Sequence, residues 1–402
     1  MTPKITVTPR SIHPILCGHP WIFSGGIQKS IGLTDKTTTL LICNPDQEVI
    51  GHGFYSPESQ IRVRVFALTN DETLPEINAS FFEARIMAAR RRRQRVGLPK
   101  EGITTGFRLL NSEGDGLPGA TVDQWGNLLV FQLTTYAMDH YREAFVEGLK
   151  AAFADHDDLV ILESAAPKAI AAREGIPPSE GLRWGHPPEL VRFMESGLNY
   201  EIEIQNFQKT GHYADMRIHR EWFASHSRGM RILDAYCYSG AFGLLAAKSG
   251  AREVVCVDSS RQALELVERN AALNQLSQVN TAVAKVDDFL RSAYDRNLCF
   301  DGIILDPPKL APRKKHVKKA LKYYESITLQ ALRLLEPQGI LALGSCSEAI
   351  GLDELDRICS TVAGREGVSL STIYAGTQAP DHPTPAGMKE SKYLSFLAIQ
   401  RA

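Results

Sequence analysis

From Met230 onward the sequence alternates short apolar runs with amphipathic ones, a rhythm that few folds accept. The runs Arg231–Ala235, Glu253–Asp258, Thr281–Lys285, Gly302–Leu305 and Ile340–Ser345 read as strands. Between them, Ala241–Ser249, Arg261–Asn274, Asp288–Tyr294 and Val317–Leu335 repeat apolar residues at helical spacing. Short apolar strands separated by amphipathic helices need cover on both faces, which predicts a parallel sheet in an α/β domain. Two further apolar runs, Leu370–Tyr374 and Tyr393–Ile399, read as strands that close the sheet as an antiparallel pair.

The chain of 402 residues is too long for one ordinary core. Its first 70 or so residues read as short strands between Gly/Pro turns, with GHPWIFSGGI and QIRVRVFAL the clearest, and predict a small β module over 1–72. A helix is expected at Ala79–Val96, and apolar runs broken at Gly114–Gly119 and at Trp125-Gly126-Asn127 suggest strands with a hairpin. A second helix at Tyr141–Phe153 and strands at Leu159–Glu163 and Leu198–Ile204 complete an α+β domain over 73–205. The alternating domain then occupies 206–402.

No apolar run approaches the roughly 18 residues of a membrane span, and MTPKITVTPRSIHP lacks a secretory leader's apolar stretch, so a cytoplasmic protein is expected. The seven cysteines are scattered without a C-x-x-C pair, which argues against a disulfide framework and against zinc; no metal is expected, and each thiol is read first as a buried small residue. The net charge of −1 carries no sign of nucleic acid, but Arg90–Arg95 and Lys314–Lys319 are locally basic.

Ligands of such a sheet bind beyond the carboxyl ends of its strands. The loop after the first strand, Asp234-Ala235-Tyr236-Cys237-Tyr238-Ser239-Gly240-Ala241-Phe242-Gly243, is not G-x-G-x-x-G, which disfavours a dinucleotide. Asp258 ends the second strand, where it can accept from two ribose hydroxyls, and Asp287-Asp288 follow the third, where a carboxylate can accept from an adenine amine. Carboxylates at successive strand ends suit a cationic, ribose-bearing ligand, S-adenosylmethionine, better than a polyphosphate. Asp234, Tyr236, Tyr238, Ser239, Gly240, Asp258, Asp287, Asp288 and Lys209 are the candidate cofactor residues.

The fourth strand runs into Asp306-Pro307-Pro308-Lys309, a turn whose prolines lack amide donors and leave carbonyls for a planar base. Asp306 can accept from, or protonate, a base edge. Past the fifth strand lies Cys346. C5 of a pyrimidine is a poor nucleophile until a thiolate adds to C6, and Cys346 serves either as that thiolate or as a buried strand-end residue. Pro307, Lys309, Arg313, Lys314 and Lys315 are the candidate RNA contacts beside this turn.

Six stretches together carry a family resemblance: GHPWIFSGGI, QNFQKTGHYADMR, DAYCYSGAFG, DPPKLA, SCS and QAPDHPTPAGMKESKYL. The chain resembles the bacterial large-subunit ribosomal RNA cytosine-5 methyltransferases with an N-terminal PUA domain. That resemblance implies a PUA-like β-barrel, a middle α+β domain and a class I, Rossmann-like methyltransferase fold. It implies S-adenosylmethionine as methyl donor, cytosine in 23S rRNA as acceptor, naked or in a large-subunit assembly intermediate, and Cys346 as nucleophile. Pro308 and Lys309 stand where better-known RNA cytosine-5 enzymes carry a second cysteine, so a one-cysteine route is implied. A homodimer is allowed for; no membrane partner is expected. An RNA base N-methyltransferase and a non-catalytic RNA-binding assembly factor are the competing readings.

Overall fold

The computed structural model describes residues 1–186, 189–203, 211–310 and 316–402. They form two compact units. The first holds Met1–Phe193, Ile202–Gly211 and, from near the other end of the chain, Pro380–Ser391; the second holds Met194–Glu201, His212–Ala379 and Lys392–Ala402.

The first unit carries two sheets. Strands β1 (Lys4–Val7), β2 (Trp21–Phe23), β3 (Ile27–Ile31), β4 (Thr39–Cys43), β5 (Val49–Tyr55) and β6 (Ile61–Ala67) form one, in the order β2-β6-β5-β4-β1-β3. Helix α1 (Pro9–Leu16) follows β1, where the sequence suggested only strands and turns. Its start is set by Pro9, whose fixed φ suits a first helical position, and by the Thr8 carbonyl accepting from Ser11 N at 2.9 Å.

Helix α2 (Ala79–Arg95) is capped by Asn78, whose side chain accepts from Phe81 N at 3.1 Å. It packs on a sheet of β7 (Gly106–Asn111), β8 (Ala120–Trp125), β9 (Leu128–Leu133), β10 (Val160–Glu163) and β11 (Gly181–Trp184), with α3 (Tyr136–His140), α4 (Arg142–Ala152) and α5 (Lys168–Glu174) between strands. The β8–β9 hairpin turns at Gly126, where φ is +61°, as Trp125-Gly126-Asn127 foretold. Helix α5 and strand β11 were not foreseen. Helix α5 holds Glu174, which receives Arg64 Nη2 at 2.7 Å with both residues buried. One arginine of β6 therefore faces inward onto a carboxylate.

Strands β12 (Leu190–Glu195) and β13 (Leu198–Glu203) make a two-stranded ribbon. Beyond it the second unit opens with α6 (Arg217–Ser225), which the sequence did not mark, and then follows the expected rhythm of β14 (Arg231–Ala235), α7 (Ala241–Lys248), β15 (Glu253–Asp258), α8 (Arg261–Leu273), β16 (Val279–Val283), α9 (Val286–Asp295), β17 (Phe300–Leu305), α10 (Val317–Leu334) and β18 (Leu335–Ser345), continuing through a second unmarked helix, α11 (Leu352–Glu366), to the expected β19 (Leu370–Gly376) and β20 (Ser395–Arg401). The sheet order is β16-β15-β14-β17-β18-β20-β19, parallel from β16 through β18, with β20 antiparallel to both neighbours. The third strand ends at Val283, two residues before the expected Lys285, because Val286 is already in α9 and buries its side chain. Order reverses between β14 and β17, so β14, β15 and β17 end around one crevice. No described helix is long and apolar enough to cross a membrane.

Candidate active site

The loop after β14 is held from below. Asp234 is 2% exposed and accepts the Gly243 amide at 2.8 Å, tying the strand to the first turn of α7. A Cβ on Gly243 would lie 2.8 Å from Cys256 Sγ, so this close approach requires glycine. Burial, with Asp306 and Asp258 nearby, pushes the Asp234 carboxyl up to about 7 against the Gly243 hydrogen bond. Asp234 therefore anchors the loop from inside.

Tyr236, Tyr238 and Gly240 have φ of +64°, +47° and +72°. This left-handed backbone turns the chain sharply, and Gly240 N closes the turn on Cys237 O at 2.7 Å. A side chain on Gly240 would also meet Val267 of α8 at 2.9 Å. Ser239 is buried at 4%. Tyr238 N donates to Asp258 Oδ2 at 3.1 Å and Ser260 N to Oδ1 at 2.9 Å, which fixes the Asp258 carboxylate at the end of β15.

Asp287 and Asp288 sit in the first turn of α9, where carboxylates suit the helix dipole. Asp288 is exposed and pairs with Arg291 at 2.5 Å. Asp287 points back toward the crevice, accepting Tyr323 Oη at 2.6 Å, and Tyr323 in turn lies 2.8 Å from the Tyr236 hydroxyl.

On the other side of the crevice, Asp306 follows β17 and Cys346 follows β18, neighbouring parallel strands with Leu305 opposite Leu343. Pro307 is buried while Pro308 and Lys309 are exposed. Gly344 leaves no room for a Cβ, because the Asp306 carboxylate occupies that space. Cys346 is half-buried, and Tyr324 supports its strand end by donating to Gly344 O at 2.9 Å. Tyr213 shares this space: burial, then Asp215, Asp306 and Cys346, push its hydroxyl up to about 12, so it stays a neutral donor.

Tyr213 is itself fixed. Its carbonyl accepts Arg220 Nη2 at 2.9 Å, and Arg220 forks onto Glu195 with both N–O distances at 2.8 Å. Burial would raise the Glu195 carboxyl, but Arg220 and His212 outweigh it and hold it at about 2. Asp215 accepts the Tyr393 hydroxyl at 2.7 Å, and its carbonyl accepts Ala379 N at 2.9 Å.

Sequence reading missed Tyr213, Tyr323, Tyr324 and Tyr393. The only signal was polar density in GHYADMR; the other tyrosines looked like core or strand residues. Lys209, Arg313, Lys314 and Lys315 lie outside the described residues. One expectation needs correction. Cys17 and Cys299 are exposed, since one caps α1 and the other precedes β17 in a loop; Cys43, Cys237, Cys256 and Cys359 are buried. The locally basic Arg90–Arg95 run is helical, with part of it tied into the fold. Arg93 is 1% exposed and forks onto Asp115 at 2.6 and 2.7 Å, Arg92 also reaches Asp115, and Arg90 lies over the Phe153 ring at 4.2 Å. Helical spacing buries Arg93 and half-buries Arg90, while Arg91, Arg92 and Arg95 stay exposed, Arg92 reaching back to Asp115.

The donor set fits S-adenosylmethionine. Asp258 and Asp287 present half-buried carboxylates at successive strand-end turns, and residues 234–243 contain no lysine or arginine to hold a phosphate.

A family described as S-adenosylmethionine-dependent methyltransferase matches residues 172–394, and a PUA-like domain matches residues 5–68. The chain is 33% identical over 399 residues to "Ribosomal RNA large subunit methyltransferase I" of Pseudoalteromonas atlantica, covering 99% of each. It is 34% identical over 403 residues to the Serratia proteamaculans protein of that name, covering 100% of each. Among solved structures, a protein from Streptococcus mutans assigned as a SAM-dependent methyltransferase superposes with a TM-score of 0.80 at 18% identity, over 99% of both chains. Another, described as a methyltransferase complexed with SAH, gives 0.82 at 19% identity over 99% of both, which speaks to the fold.

Proposed function

Because the chain belongs to the S-adenosylmethionine-dependent methyltransferases and carries a PUA-like domain, we propose that it methylates C5 of a cytosine in large-subunit (23S) ribosomal RNA through a covalent Cys346 adduct. The observation that carries this reading is the half-buried Cys346 at the end of β18, beside the strand whose end bears Asp306. A ring nitrogen or exocyclic amine needs no thiol; carbon does. The relatives named as ribosomal RNA large subunit methyltransferases supply the polymer.

Cys346 thiolate adds to C6 of the base and forms the C6–S bond. Asp306 meets the base's polar edge as the protonating group, passing its proton to the edge where negative charge develops as C5 becomes nucleophilic. Bound S-adenosylmethionine supplies an electrophilic methyl group. Once C5 has formed its bond to that methyl group, loss of the C5 proton to water breaks the C6–S bond and returns the thiolate. Pro307 and the exposed Lys309 line the approach, with Lys318 and Lys319 of α10 available to phosphates. We assign 1–72 and 73–205 to RNA binding and 206–402 to methyl transfer.

The test uses ribosomal RNA lacking its modifications, with methyl positions mapped by mass spectrometry. The wild-type chain should form 5-methylcytosine and be trapped covalently on RNA carrying 5-fluorocytosine. Cys346→Ala should do neither; full activity of that variant would sink the covalent route.

A further inference from the structure

We propose that Tyr323 is a positioning residue for the cofactor, and that two consecutive tyrosines of α10 divide support of the site between cofactor and nucleophile. This rests on the reading above that Tyr236 and Asp287 face S-adenosylmethionine.

The two hydroxyls point to different strand ends. Tyr323 Oη donates to Asp287 Oδ2 at 2.6 Å. A phenol has one proton, so the 2.8 Å contact with Tyr236 must run the other way, with Tyr236 donating to Tyr323. The result is a directed chain, Tyr236 to Tyr323 to Asp287, from the loop after β14 to the first turn of α9. It joins the two turns between which a nucleoside would lie. Burial and hydrogen bonding push the Tyr323 hydroxyl up to about 12 and Tyr236 higher still, so both protons stay in place at working pH. Tyr236 sits at φ +64°, a conformation a tyrosine adopts only when its surroundings hold it there. The hydroxyl link to Tyr323 is one such hold.

The next residue does the opposite task. Tyr324 is 2% exposed and donates to Gly344 O at 2.9 Å, two residues before Cys346. One helical step rotates a side chain by about 100°, so neighbouring residues diverge, one toward the cofactor loop and one toward the thiol strand. The same helix begins directly after residues 311–315, which follow the Asp306 turn.

Calorimetry of the full chain with S-adenosylmethionine, alongside steady-state kinetics, separates these roles. Tyr323→Phe should weaken cofactor binding about five- to twentyfold and raise the cofactor KM in step, with kcat at saturating cofactor within about twofold. Tyr236→Phe should weaken binding as well. The double variant should be no weaker than Tyr323→Phe alone, because both substitutions break one chain. Tyr324→Phe should lower kcat and leave the cofactor Kd unchanged, a split that general loosening of α10 would not give. Asp287→Asn, with the fold checked by thermal unfolding, is the control for the pocket itself. If it weakens binding while Tyr323→Phe does not, the positioning role is wrong and the pocket stands. If neither moves the Kd, the assignment of Asp287 to the cofactor falls, and this inference with it.

Discussion

The backbone amide of Arg108 donates to Asp381 Oδ2 at 3.0 Å across 273 positions of sequence. Arg93 Nη2 reaches the carbonyl of the same aspartate at 2.8 Å, and Asp381 is fully buried. Residues 380–391 thus belong to the first unit although the chain on either side belongs to the second. Asp381→Ala leaves a buried amide unsatisfied and should cost about 2–4 kcal/mol of stability. Asp381→Asn, which keeps an acceptor, should cost less. Urea unfolding of the full chain measures both.

Gly344→Ala tests the fit between β18 and the Asp306 turn. The new methyl would overlap the Asp306 carboxylate and lie 3.0 Å from Met216 Cε. Stability should fall by about 1–3 kcal/mol, as for other overpacked sites. Methyl transfer should fall at least tenfold, since the displaced group is the one we propose meets the base. Unchanged kcat would show that Asp306 need not hold this position.

His219 should make the acid side of the stability profile steep. It is fully buried, stacked on Phe396 at 4.7 Å, and sits 3.0 Å from the Tyr374 hydroxyl and 2.7 Å from the Thr377 carbonyl. Since a carbonyl only accepts, Nε2 carries the proton and Nδ1 takes Tyr374's. Burial pushes the imidazole down from 6.5 to about 4, despite the Thr377 bond that raises it. A depressed folded value means the neutral ring's contribution is complete above pH 6.5 and is lost as pH falls through about 4. At about 1.4 kcal/mol per pH unit it amounts to about 3 kcal/mol at most. His219→Gln should flatten the fall in melting temperature across that window; an unchanged slope would assign it to other groups.

Thiol labelling should sort the cysteines. In the native chain, iodoacetamide followed by peptide mass spectrometry should modify Cys17 and Cys299 first and half-buried Cys346 next. Cys237 is shielded by its hydrogen bond to Cys256 and by burial, which raise its pKa, and burial pushes Cys359 up to about 12. These three, with buried Cys43, should label only after unfolding. Early labelling of Cys237 would show that the loop after β14 opens in solution.

Strand and helix limits in the second unit were legible because each apolar run is short and each helix is punctuated locally. Arg231–Ala235 and Glu253–Asp258 coincide with β14 and β15. Ser260, whose hydroxyl accepts Ala263 N at 3.2 Å, starts α8 where the pattern placed it. Helix α5 and strand β11 escaped notice because Lys168–Glu174 and Gly181–Trp184 are too short for periodicity to speak. The arginine run was legible only in part: charge is visible in sequence, but Asp115, which receives two of its members, is brought there only by folding.

The sequence by itself determined the alternating α/β sheet, the carboxylates at its strand ends and the thiol after the fifth expected strand. Those are set by periodicity and by neighbours in the chain. Tertiary structure alone decided which carboxylates turn outward. Asp234 and Asp258 look alike in sequence, each closing a strand, yet one is sealed beneath Gly243 and the other sits half-buried at the crevice. It also decided that Tyr323, from a helix far along the chain, would bridge Tyr236 and Asp287. Hydrogen bonds and burial act through space, and no local pattern encodes which distant side chain will arrive.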